Sequence, residues 1–195
     1  GRGSVGNFGW DEVVGNANLM GPLSIAIPGA VAGLACALGK FGTMSWAEVS
    51  RPAISLARDG FQIGWHDAFV IAMNAERTGC SEAAGHIFMP DGSIPKGDGV
   101  EPGRLVQHDL AATLAALAES GPADFYVGDV ARAIVKGIQE IGGLLTLEDF
   151  AQYNARVEEP LTAAYADVAV NVPPFACAGP TTVQTLNIYD RFDVA

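Results

Sequence analysis

Residues 27–46 read IPGAVAGLACALGKFGTMSW, and this stretch decides the fold. It contains most of the longest nearly uninterrupted apolar run, residues 25–38, which is shorter than the ~20 residues that a membrane-spanning helix needs. The run therefore predicts a buried helix. Pro28 suits its first turn, where a missing N–H costs nothing, and Gly39 is expected to end it in a left-handed conformation.

The glycines of this stretch do not form a phosphate-binding loop. Gly29 and Gly33 are four residues apart, and neither a GxGxxG nor a GxxxxGK[ST] pattern includes them. Because both would lie on one face of the predicted helix, their missing side chains predict that another element packs closely there.

The end of the stretch begins a second helix. Ser45 and Glu48 have the spacing of a capping box, with Met44 and Val49 at the positions of a hydrophobic staple. An apolar stripe at helical spacing continues from Val49, and the helix is expected to end at residues 59–60.

The rest of the chain predicts a mainly helical α+β fold with a small β element near residues 162–172. Residues 1–24 are interpreted as a glycine-rich N-terminal loop and residues 25–195 as a single domain. A helix is predicted over residues 66–77, followed by an irregular excursion over 80–103 with a tight turn at 90–93. Helices are predicted over 110–118 and 130–141 with a helical turn at 124–126 between them, and a short helix over 147–153 is capped by Thr146. The strands are ended by Pro173 and Pro174, and Gly179 and Pro180 open a last helix.

Charge and cysteine content exclude several partners. Twenty-two acidic against eleven basic residues give a net charge of −11, which disfavours nucleic acid and anionic membranes. Cys36, Cys80 and Cys177 are odd in number and widely spaced, so they form neither a complete disulfide framework nor a CxxC metal site. Residues 1–16 lack the pattern of a secretion signal, and the compartment stays open between periplasmic, secreted and cytoplasmic.

The candidate catalytic residues do not form a constellation. His66, His86 and His108 lack metalloprotease spacing, and we expect them to be exposed or satisfied, with no metal or cofactor. Cys177 lies between a predicted strand and a helix, a position where thiol nucleophiles occur, but a loop-packing role is favoured. Thr181 and Thr182 are interpreted as caps of the last helix. The acidic pairs at residues 11–12, 148–149 and 158–159 are interpreted as solvated or helix first-turn residues.

Four longer stretches together carry a resemblance. They are residues 27–61, 108–135 (HDLAATLAALAESGPADFYVGDVARAIV), 142–165 (GGLLTLEDFAQYNARVEEPLTAAY) and 170–193 (VNVPPFACAGPTTVQTLNIYDRFD). In this order the chain resembles the large-subunit segment of the gamma-glutamyltranspeptidases, also called gamma-glutamyltransferases. The combination PGAVAG…FGTM, GP-x-x-FY-x-G and GG-x-LT-x-ED is specific, whereas any one of these alone is weak.

The resemblance implies an N-terminal nucleophile hydrolase with an αββα fold. Such an enzyme is made as a precursor that cuts itself into two subunits, and the newly exposed threonine of the small subunit attacks gamma-glutamyl amides such as glutathione. The implied partners are that small subunit and a gamma-glutamyl small molecule. This threonine is not in the present chain, so the chain alone is expected to be inactive.

Carrying the family over residue by residue assigns no catalytic, substrate-binding, cofactor or metal residue here. Arg2 sits in no substrate-binding motif, and Thr181 and Thr182 fall within the large-subunit helix rather than at a processing junction. Residues 176–179 depart from the family's serine and paired glycines, which leaves a transpeptidase, a hydrolase and a glutaryl or poly-glutamyl acylase open. A non-catalytic helical interaction module is the other alternative. An exposed apolar patch is expected, with a partner chain or self-association to cover it.

Overall fold

The computed structural model describes residues 2–5, 11–79, 81–95, 103–174 and 177–192, with the backbone alone at residues 2–5, 11 and 12. The chain forms two compact units, residues 1–154 and residues 155–195. Because one domain can contain two compact pieces, the predicted boundary at residue 24 and the single domain over 25–195 stay predictions. The architecture is mainly helical α+β, as predicted.

The N-terminal region contains a short strand pair. Strand β1 (Arg2–Val5) pairs with β2 (Asp11–Val13) in antiparallel orientation, and two single 3-10 turns follow at Val14–Asn16 and Pro22–Ser24. The structure therefore adds a strand pair to the glycine-rich loop that the sequence predicts over residues 1–24.

The apolar helix begins and ends later than predicted. Helix α1 (Ala30–Phe41) leaves Pro28 outside and contains Gly39, and Gly42 follows it with a φ of −84°, so no left-handed glycine ends it. The predicted start at residue 25, the place of Pro28 in the first turn and the left-handed Gly39 at the end were therefore wrong. The carbonyl of Pro28 accepts a hydrogen bond from the Tyr126 hydroxyl (2.8 Å), and this distant contact holds residue 28 in the segment before the helix.

The second helix agrees with its prediction. Helix α2 (Trp46–Asp59) starts with a complete capping box, in which the Ser45 hydroxyl accepts from the Glu48 N–H and the Glu48 carboxylate accepts from the Ser45 N–H (2.8 Å). It ends before Gly60, whose φ of +74° is accessible to glycine at little cost.

The next segment is more helical than the sequence indicates. Strand β3 (Phe61–Gln62) is followed by α3 (Trp65–Met73), α4 (Ala75–Gly79) and α5 (Glu82–Phe88). The single helix predicted over 66–77 is broken at Asn74, whose side-chain amide donates to the Val70 carbonyl (2.8 Å). The irregular excursion over 80–103 was wrong in part, because the Ser81 hydroxyl caps α5, but the tight turn at 90–93 is confirmed.

The remaining helices of the first unit enclose its core. Strand β4 (Arg104–Leu105) pairs with β3, and α6 (His108–Ser120) packs on α2. Helices α7 (Asp124–Val127), α8 (Asp129–Glu140) and α9 (Leu147–Gln152) follow close to their predicted positions. The buried residues of the core cluster are Tyr126, Ala131, Val135 and Phe150.

The second unit is a hairpin with one helix. Strands β5 (Leu161–Tyr165) and β6 (Val168–Val172) are antiparallel, with Leu161 opposite Val172, and α10 (Gly179–Tyr189) packs against both. Gly179 is buried against the Pro173 carbonyl, and a Cβ there would overlap that oxygen. The strands and the last helix were predicted correctly.

Candidate functional site

The three histidines do not form a site. His66 lies on α3 with its ring against Trp65, His86 lies on α5 with Nε2 3.8 Å from the Glu82 carboxylate, and His108 begins α6. All three are exposed. Across the described residues no group of three or more histidine, cysteine, aspartate or glutamate side chains could hold a metal ion.

Cys177 is exposed and has no catalytic base in its own unit. Its sulfur lies 3.2 Å from the Pro174 carbonyl oxygen and 3.6 Å from that of Pro173, so the thiol donates to the backbone. Residues 155–195 contain no histidine. This geometry fits the loop-packing interpretation of Cys177 and does not supply the base that a thiol nucleophile requires.

Thr181 and Thr182 lie in the first turn of α10, and neither side chain caps it. The Thr182 hydroxyl donates instead to the Ala178 carbonyl (3.0 Å). The predicted capping role was therefore wrong, because a cap must accept from an N–H and this hydroxyl satisfies a carbonyl. Both residues lie inside a helix, as the residue-by-residue comparison with the family implied.

Three described members of the acidic pairs, Glu148, Asp149 and Glu158, have hydrogen-bond or ion-pair partners. Asp149 accepts from the Thr146 N–H (2.8 Å) and hydroxyl (2.7 Å), and these hydrogen bonds hold the pKa of its carboxyl below the ordinary value. Glu148 accepts from Gln152, and Glu158 lies 3.7 Å from the Arg156 guanidinium. The side chains of Arg2 and of the pair at residues 11–12 lie outside the described part.

A buried tyrosine joins the first and second halves of the larger unit. The Tyr126 hydroxyl donates to the Pro28 carbonyl and accepts from the Ala32 N–H (3.0 Å), so it satisfies one of the free N–H groups at the start of α1. Its ring stacks on Tyr153 with centroids 5.5 Å apart. Burial raises the pKa of Tyr126.

The predicted close approach at the glycines is confirmed at one of them. A Cβ on Gly29 would overlap the Tyr153 hydroxyl, so only glycine lets this ring reach the start of α1. Gly33 has open space around it among the described residues, and the close packing predicted there was wrong for this chain.

We expect Tyr126→Phe to lower the free energy of unfolding by about 1–2 kcal/mol, because the Pro28 carbonyl and the Ala32 N–H lose their partner while the ring remains. Urea denaturation followed by circular dichroism measures this change. Tyr189→Phe, on a tyrosine that is 52% exposed, is the control, and an equal loss in both variants would contradict the role given to the Tyr126 hydroxyl.

A large apolar cleft lies between α1, α2 and α6. Its volume is about 690 Å³. The sequence predicted an exposed apolar patch but not its position. None of the residues of α1 is buried, and Leu34 is 63% and Phe41 77% exposed, so the prediction of a buried helix was wrong. Among the described residues, no helix is long and apolar enough to cross a membrane.

The indole of Trp46 contains a buried hydrogen-bond donor that the sequence does not reveal. Trp46 lines the cleft at the start of α2, and its Nε1 is buried with no hydrogen-bond partner among the described residues. Buried indole N–H groups normally have an acceptor. The Ser45-Trp46 pair could have drawn attention to the position, but nothing local predicts a missing acceptor.

One protein family matches nearly the whole chain. A profile of the gamma-glutamyltranspeptidases matches residues 7–195. The chain belongs to the gamma-glutamyltranspeptidase family. It is 39% identical over 184 residues to the glutathione hydrolase proenzyme of Escherichia coli (strain K12), a match that covers 91% of this chain and 30% of that relative.

Other relatives and a solved structure are similar over nearly the same span. The acylase ACY 1 proenzyme of Pseudomonas sp. (strain SE83) is 34% identical over 91% of the chain and 31% of its own length. The gamma-glutamyltranspeptidase of Helicobacter pylori superposes with a TM-score of 0.81 at 30% identity, covering 98% of this chain and 54% of that one. The chain thus spans about a third of the length of these curated relatives.

Proposed function

We propose that this chain is the large-subunit part of an enzyme that cleaves gamma-glutamyl amides, such as glutathione, through an N-terminal threonine of a small subunit. The observation that carries the proposal is the family match over residues 7–195, together with a fold that agrees with it. We propose a scaffold role for these 195 residues, since the three histidines lie on three different helices and the Cys177 thiol donates to backbone carbonyls.

The chemistry proposed for the complete enzyme is acyl transfer. The threonine hydroxyl adds to the amide carbonyl, its own α-amino group takes the proton and returns it to the leaving amine, and an ester to the enzyme results. Water or an acceptor amine then attacks that ester and releases the gamma-glutamyl group. Backbone N–H groups would stabilise the oxyanion formed in each step.

The activities for which the relatives are named favour a gamma-glutamyl substrate over the acylase alternative. The Escherichia coli and Arabidopsis thaliana relatives are named glutathione hydrolases, and a Pseudomonas relative is named an acylase. The first of these has the higher identity, 39% against 34% for the acylase. Comparing a gamma-glutamyl anilide with a glutaryl anilide, which lacks the α-amino group, separates the two substrate classes.

The test compares the full-length protein with the 195-residue chain. We expect the full-length protein to release the amine from a gamma-glutamyl anilide, and the chain alone to release none. Alanine at the proposed threonine should lower the rate about a thousandfold or more. Cys177→Ala should leave it unchanged, because the Cys177 thiol donates to backbone carbonyls.

Two outcomes would contradict the proposal. Turnover by the 195-residue chain, lost in Cys177→Ala, would establish a thiol enzyme. A full-length protein that lacks the threonine and hydrolyses neither anilide would support the non-catalytic interaction module. The small-subunit partner and any homo-oligomer belong to the same proposal, and the masses of the native subunits measure both.

A further inference from the structure

A second pocket lies between the segment that precedes α1 and the helical turns that contain α4. Its volume is about 440 Å³, and it belongs to the larger unit. Leu19 and Met20 supply apolar side chains to its lining, and Arg77 is the one charged residue among the described residues that line it. The whole chain has twenty-two acidic against eleven basic residues. This pocket therefore places an uncompensated positive charge on an acidic protein.

The polar side chains of the pocket lie on one side of these helical turns. The N–H of Thr78 donates to the Asn74 carbonyl (2.8 Å), and the N–H of Ser81 donates to the Thr78 carbonyl (3.2 Å), so the turns are continuous. Residues at the helical spacing i, i+3, i+4 and i+7 share a face. The pocket lining includes four residues at this spacing, namely Asn74, Arg77, Thr78 and Ser81.

The pocket contains hydrogen-bond donors that have no acceptor. No hydrogen bond or ion pair joins Arg77 to another described residue, whereas Arg58 and Arg132 are each paired with an aspartate. The Thr78 hydroxyl is likewise without a partner in the described part of the chain. The Ser81 hydroxyl accepts from the Ala84 N–H (3.3 Å), which leaves its own hydrogen free to donate. A ligand that suits these groups must offer acceptor oxygens.

We propose that this pocket binds a small aliphatic carboxylate. The planar guanidinium of Arg77 donates two parallel hydrogen bonds to the carboxylate, and the hydroxyls of Thr78 and Ser81 donate to its remaining lone pairs. Leu19 and Met20 pack against the hydrocarbon part of the ligand. One guanidinium balances one negative charge, which favours a carboxylate over a doubly charged phosphate.

Methionine methyl signals measure binding at this pocket without reference to activity. Full-length protein with carbon-13 in its methionine methyl groups is titrated with isocaproate and, separately, with the neutral isocaproamide. We expect isocaproate alone to shift the Met20 signal, which Met20→Leu identifies by its loss. The reference is the signal of Met44, which is 54% exposed and does not line this pocket, and it should not move.

Variants of Arg77 test the role of its guanidinium. Arg77→Gln should weaken the binding of isocaproate about tenfold or more, because a charge-assisted pair of hydrogen bonds is lost. Arg77→Lys keeps the charge but not the planar pair of donors, and its affinity should lie between those of the unchanged protein and Arg77→Gln. The matched control is Arg51→Gln, at an exposed arginine of α2 outside the pocket, which should bind as the unchanged protein does.

Each result decides the proposal. Loss of binding in Arg77→Gln, with the Met44 signal at its usual position to show that the variant is folded, supports the carboxylate site. A Met20 signal that does not move with isocaproate, or that moves equally with isocaproamide, overturns it. Equal affinities for Arg77→Gln and the unchanged protein overturn it too. A Met20 response to inorganic phosphate but not to isocaproate would replace the carboxylate by a different anion and overturn the proposal as stated.

Discussion

Replacing Phe150 by alanine is expected to lower the free energy of unfolding by about 3–5 kcal/mol. Phe150 has no exposed surface, and its ring lies among those of Phe125 (6.2 Å between centroids) and Tyr126 (6.5 Å). Ala131 and Val135 of α8 complete the same cluster. A capping box holds the start of α9, and the N–H groups of Asp129 and Val130 at the start of α8 donate to Asp124. These helices can therefore close only part of the cavity that alanine leaves.

Urea denaturation of the 195-residue chain, followed by circular dichroism, measures this loss. The matched control is Phe69→Ala, since Phe69 lies on α3 of the same unit and is 56% exposed. Its effect should stay within about 0.5 kcal/mol, the range of ordinary surface substitutions. Similar losses in both variants would mean that the aromatic cluster around Phe150 does not stabilise the unit.

Two helix starts could be predicted from the sequence because their capping interactions are local. Ser45 with Glu48, and Thr146 with Asp149, are pairs three residues apart whose side chains and backbone N–H groups exchange hydrogen bonds. No distant residue is needed to form such a box. The observed starts of α2 and α9 therefore coincide with the predicted ones.

The limits of α1 could not be predicted in this way. The start of this helix depends on Tyr126, whose hydroxyl contacts Pro28 and Ala32 across more than ninety residues of sequence. Apolar periodicity showed that a helix exists but gave no sign of this contact. The break at Asn74 was missed for a different reason, because its side-chain amide donates to the Val70 carbonyl only four residues away and apolar periodicity does not register such a contact.

The candidate site shows the same division between local and distant information. That an apolar surface would be exposed followed from composition and resemblance, but its position between α1, α2 and α6 depends on packing across the chain. The sequence did not indicate that the Trp46 indole N–H lacks an acceptor within the described part of the chain, because nothing local to a helix cap determines that partner. That this chain contributes no catalytic or substrate-binding residue stays a prediction.

Leu117→Ala is expected to be the second most destabilising change, at about 2–3 kcal/mol in the 195-residue chain. Leu117 is 2% exposed, but it also lines the cleft, so neighbouring side chains can shift toward the open space and shrink the cavity. Leu110→Ala on the same helix, where Leu110 is 41% exposed, is the control and should cost less. Urea denaturation followed by circular dichroism measures both losses. Equal losses would contradict the buried packing assigned to Leu117, because truncating an exposed side chain leaves no enclosed cavity.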